Sequence, residues 1–169
     1  MTPLYKTTQE LALAFACAMS IQDAKKIESL IKESIPLEDG GVFNIDLNDN
    51  FFPALNTAIK KNASPAFLKA LIDLGADINK KDHRGTAPLH CIDDNLEVIA
   101  LLLDQGATID IKDNYGNTPL GFAASSGNLP AVKFLLGKGA NINSQNQTGY
   151  TAAMAALFWA GNNSKPPKS

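Results

Sequence analysis

Between positions 113 and 145 the apolar residues fall into two short helical stripes separated by polar breaks. Leu120, Ala123 and Ala124 are spaced three and four apart, which places them on one helix face. Thr118, just before the stripe, offers a capping oxygen, and Pro119 suits the first helical position because no partner there needs its missing N–H. Gly127-Asn128 breaks this helix. Leu129-Pro130-Ala131-Val132-Lys133-Phe134-Leu135-Leu136 starts a second, more apolar one, which Gly139 closes as a C-cap. Ahead of the pair, Asp113-Asn114-Tyr115-Gly116 reads as a turn in which Gly116 takes a positive φ. The pattern predicts turn, helix, turn, helix.

The same order recurs along the chain. Leu-Gly-Ala-Asp-Ile-Asn ends at Asn79, Gln-Gly-Ala-Thr-Ile-Asp at Asp110, and Lys-Gly-Ala-Asn-Ile-Asn at Asn143. Gly75, Gly106 and Gly139 lie 31 and 33 residues apart. A period of this length predicts stacked supersecondary units, each burying its apolar face on its neighbours, and not a single globular core.

Thr118-Pro119-Leu120, Gly127, Leu135-Leu136 and Gly139-Ala140 stand at the offsets of an ankyrin repeat, and residues 113–145 resemble that family. Gly121 departs from the family pattern, which has histidine there. The unit 82–112 is similar, with Gly85, Pro88-Leu89-His90, Leu101-Leu102-Leu103 and Gly106-Ala107. It is two residues short between Ile92 and Asn95, and Ala87 replaces the capping threonine, at a cost of about 1 kcal/mol. It is therefore expected to be the weakest of the units. Residues 48–81 form a looser unit, with Pro53-Ala54-Leu55 in its first helix and Pro65 opening its second.

The resemblance implies an all-α solenoid of stacked helix pairs with β-hairpin finger loops. Its parts would be a capping pair at 8–47, repeats at 48–81, 82–112 and 113–145, and a partial repeat at 146–161. These make one domain over 1–161, followed by a polar, proline-bearing tail at 162–169 that is expected to be disordered.

Composition narrows the chemistry. A net charge of -2 argues against a general binder of nucleic-acid phosphates. The apolar run Leu11–Met19 follows Gln9-Glu10 and is too short to span a bilayer, so a buried first helix is the reading. Cys17 and Cys91 have neither metal nor disulfide spacing and read as buried thiols of a reducing compartment. His83 and His90 are seven apart, which fits no zinc-protease helix, and His90 stands at the repeat's own structural histidine. Asp46 to Asn50 fails as a calcium loop because Phe51 replaces the required glycine. No catalytic constellation, metal site or cofactor site emerges, and no enzyme activity is expected.

In the resembling family the fingers and first helices line a concave groove that binds proteins. Carried over by offset, the partner-binding residues would be Lys81, His83, Arg84, Ile111, Asn114, Tyr115, Phe122, Gln147, Tyr150 and Trp159. Ile111 and Tyr115 occupy positions that are ordinarily polar, and Tyr115 either contacts a partner or packs on the next finger. Phe158 and Trp159 either anchor a partner, close the stack, or meet further repeats. The lysines Lys60, Lys61, Lys80 and Lys81 with Arg84 form either a solvated face or a steering patch for an acidic partner. The expectation is a monomeric, cytoplasmic inhibitor, scaffold or adaptor of a protein partner, with no nucleic acid and no membrane. The alternative is the targeting segment of a larger protein, or of a bacterial effector delivered into a host cytosol, whose activity lies outside this chain.

Overall fold

The computed structural model describes residues 53–73, 75–92 and 95–163, without the side chains of 162 and 163. The expected capping pair at 8–47 and the tail from 164 lie outside the described residues. The chain divides into two compact units, Met1–Asp82 and His83–Ser169.

In the first unit, α1 (Ala54–Lys60) and α2 (Pro65–Asp73) pack as a pair. Leu55, Leu68 and Leu71 are fully buried between them, with Ile59 and Phe67 beside them. Asn62, at φ 54°, turns the chain out of α1, and the Ser64 hydroxyl accepts from the Phe67 amide to cap α2. Lys60 reaches the buried Asp82 carboxylate at 3.7 Å, so this lysine is part of the unit's own charge pairing.

The second unit holds α3 (Leu96–Asp104), α4 (Pro119–Ser125), α5 (Leu129–Gly137) and α6 (Ala152–Asn163). Leu89, Ile99, Leu102, Leu120 and Leu135 make its core. α4 packs against both α5 and α6, so Leu120 and Ala124 lie at the centre. Thr118 caps α4 as its sequence predicts, accepting from the Gly121 amide at 3.3 Å. Two caps escaped the sequence pattern. Asn95 accepts from Glu97 and Val98 at the start of α3, and Asn128 from Ala131 at the start of α5. Each satisfies amides that the first turn of a helix leaves without a partner.

The segment where the 82–112 unit has its first helix winds only as a 3-10 turn, Pro88–His90. Ala87 has no side chain to cap it. The Nδ1 of His90 accepts from the Ala87 amide instead (3.1 Å), while the Cys91 thiol leans on the Ala87 carbonyl at 3.7 Å. Cys91 is half-buried, more open than its sequence suggests. We expect the amides of 88–92 to exchange with solvent faster than those of 119–125. Equal or stronger protection at 88–92 by hydrogen-exchange mass spectrometry would contradict the ranking.

α6 runs to Asn163, so its last turn includes Asn162 and Asn163, which the sequence pattern assigns to the tail. At 12 residues it is longer than the seven-residue α1 and α4.

Candidate functional groove

Each finger of the second unit is built around one acceptor side chain. Asp113 accepts from the amides of Tyr115 and Asn117, and its own amide donates to the Asn117 carbonyl. Asn146 does the same one repeat later, accepting from Thr148 and Tyr150 and donating to the Tyr150 carbonyl. Such local side-chain bonds compete with ladder formation, and the fingers stay as turns, with no strand among the described residues.

Successive fingers are stitched by a repeated pair of bonds. The Asn114 amide donates to the Arg84 carbonyl at 3.0 Å and its Nδ2 to the His83 carbonyl at 3.1 Å. The Gln147 amide donates to the Tyr115 carbonyl at 2.9 Å and its Nε2 to the Asn114 carbonyl at 2.9 Å. Lys112 adds a bond from Nζ to the Gln145 carbonyl. Asn114 and Gln147, placed on the binding edge by offset, therefore spend their side-chain amides on holding the edge together.

The aromatic candidates divide. Tyr115 is 63% exposed. Tyr150 is 52% exposed and lies along a groove with Phe122. Phe122 is half-buried, edge-on to the His90 ring at 5.3 Å between centroids. Trp159, expected either to anchor a partner, to close the stack or to meet further repeats, is 39% exposed and also packs on its own unit. Its indole lies so close over Gly127 that a Cβ there would overlap it. Only a glycine, here at φ +68°, lets the ring approach this backbone, and the tryptophan covers the turn between α4 and α5. Ile111 is half-buried. His83 and Arg84 are exposed in the second unit and Lys81 in the first.

Between α4 and α6 runs a groove of about 300 Å³. Its walls include Thr118, Gly121, Phe122, Tyr150, Thr151 and Phe158. Beyond it α6 leaves Leu157, Phe158 and Met154 exposed, at 73%, 70% and 49%. Offset reasoning named Phe122 and Tyr150 but not the groove's floor. The available signal was Gly121, a glycine at the repeat's histidine position.

His90 is committed to the fold. With Nδ1 accepting from Ala87, Nε2 carries the hydrogen and donates to the Asn117 carbonyl at 3.1 Å. Both ring nitrogens are engaged and neither is available for proton transfer. Among the described residues there is no cluster of three or more histidine, cysteine, aspartate or glutamate side chains suited to a metal, and no helix long and apolar enough to cross a membrane.

A family model described as ankyrin repeats (3 copies) matches residues 55–146 and again 90–164. "Putative ankyrin repeat protein YahD" of Escherichia coli (strain K12) is 35% identical over 95 residues, covering 54% of this chain and 47% of that protein. The chain thus spans about half the length of the curated relative it matches.

Proposed function

The chain belongs to the ankyrin repeat family, and we propose that it is a binding module that holds a protein partner along the fingers and first helices of residues 83–163. Ankyrin repeats are generally protein–protein interaction modules and typically non-catalytic. The observation that carries the reading is a groove with exposed aromatic side chains on its wall and further exposed apolar side chains on the elements that form it. Tyr150 and Phe158 line it, and Tyr115, Met154 and Leu157 are exposed on the adjoining finger and helix. An uncharged apolar patch beside a groove is what a protein partner buries, and exposed aromatics are common anchors of such contacts. The role would be inhibition, sequestration or scaffolding through rigid presentation, because the stitched fingers fix the edge before a partner arrives.

The test compares capture of a partner from the native host by the wild-type chain, by Tyr115→Ala, and by Lys133→Ala, which changes an exposed residue of α5. Loss of about tenfold in affinity or more is expected for Tyr115→Ala, as for aromatic anchors worth over about 1 kcal/mol, and no change for Lys133→Ala. The opposite ranking would move the binding face to the second helices.

A second reading takes the exposed side of α6, with Leu157 at 73%, as a seat for a further repeat of a longer protein in which this chain is the targeting segment. Persistence of partner capture after Leu157→Ser with Phe158→Ser would favour it over direct contact.

A further inference from the structure

The position of Gly121 in α4 has no backbone reason to be glycine. It lies inside a helix, its φ is not positive, and a Cβ added there would meet only the Thr118 hydroxyl at an ordinary 3.7 Å. Glycine within a helix costs stability relative to alanine, so the absence of a side chain here calls for a reason. The equivalent residue one repeat earlier is His90, following Ala87-Pro88-Leu89 as Gly121 follows Thr118-Pro119-Leu120. His90 places its imidazole between two backbone groups, accepting from the Ala87 amide and donating to the Asn117 carbonyl.

The counterparts of those two groups are the Thr118 amide and the Tyr150 carbonyl, and both residues line the groove over Gly121. Among the described residues nothing accepts from the Thr118 amide, although Thr118 itself is 5% exposed. The Tyr150 carbonyl takes only the Asn146 amide, where the Asn117 carbonyl takes both the Asp113 amide and His90. The repeat therefore keeps the donor and the acceptor that grip an imidazole while lacking the imidazole itself. Phe122 and Phe158 flank the same space, and its volume of about 300 Å³ admits a ring with a stretch of chain attached.

We propose that the Gly121 groove binds an imidazole ring, presented as a histidine side chain of the bound partner polypeptide. The ring's unprotonated nitrogen accepts from the Thr118 amide and its N–H donates to the Tyr150 carbonyl, repeating in trans what His90 does in cis. The proposal rests on the reading of this face as the partner surface and adds to it the residue type that is recognised.

The test uses the full chain, amide NMR, and three probes: 4-methylimidazole, toluene as a ring of similar size without nitrogens, and a blocked tripeptide with histidine at its centre. Saturable shifts of the Thr118 and Gly121 amides are expected with 4-methylimidazole and not with toluene. The tripeptide is expected to bind several-fold more tightly than the free ring, because the groove, at about 300 Å³, has room for chain beside the ring. In Gly121→His the built-in ring should abolish both responses and raise Tm by roughly 2–4 °C. Equal response to toluene, no saturable shift, or an undiminished response in a folded Gly121→His chain would overturn the site. Equal affinity of tripeptide and free ring would overturn its assignment to a polypeptide. The wild-type comparison decides the matter even if Gly121→His does not fold. Partner capture that depends on Tyr115 without any imidazole response would sink this inference and leave the binding-module reading standing.

Discussion

Leu120→Ala is expected to destabilise the chain by about 2–5 kcal/mol, read as a fall in the urea midpoint. Leu120 is 1% exposed in α4, the helix that packs against both α5 and α6. Removing its branched end deletes contacts on two sides at once, and the helices cannot close the gap without shifting the fingers that continue into them. Tyr115→Ala, at a side chain 63% exposed, is expected to stay within about 0.5 kcal/mol of wild type. Comparable losses in the two variants would show that the tyrosine ring is part of the packing and would remove it from the proposed binding face.

Gly85→Ala should be nearly as costly, about 2–4 kcal/mol, for a different reason. Gly85 has φ +75°, and a Cβ there would overlap both the backbone nitrogen and the side chain of Asn114. The left-handed conformation alone costs an alanine about 1 kcal/mol, and forcing the fingers apart adds about 1–3 kcal/mol. Gly106→Ala is the control. Its φ of +95° is as unfavourable, but nothing lies within 4 Å of the added atom, so only the conformational part should appear. The difference between the two variants, measured by denaturant unfolding, isolates the finger-to-finger contact. A difference near zero would mean that the fingers separate freely.

The helix pairs of 113–145 were legible because each local signal agrees with the packing. Thr118, Pro119, Gly127 and Gly139 all punctuate the same two helices, and Leu120 and Leu135 are buried where periodicity places them. The 82–112 unit was legible as a weak point but not in its form. The absence of a cap at Ala87 is a sequence fact, whereas the reach of His90 back to that amide, and the 3-10 turn it accompanies, depend on a carbonyl supplied by the next repeat. The proposed binding face was only half legible. Offsets locate an edge but do not say which side chains are consumed in building it, and Asn114, Gln147 and Trp159 are engaged within the unit. Conversely, the Gly121 groove is visible only when the missing side chain is set against the groups that would have held it.

The two stitches between fingers span 31 and 33 residues, yet they use the same donors on the same kind of carbonyl. The two-residue shortfall falls before Asn95, away from every bonded finger position, and is absorbed without moving the edge out of step. A tag or spacer grafted between Cys91 and Asn95 would leave the bonds between fingers in step, whereas one residue added between Asn114 and Gly116 would disrupt the two bonds that Gln147 makes to the Asn114 and Tyr115 carbonyls.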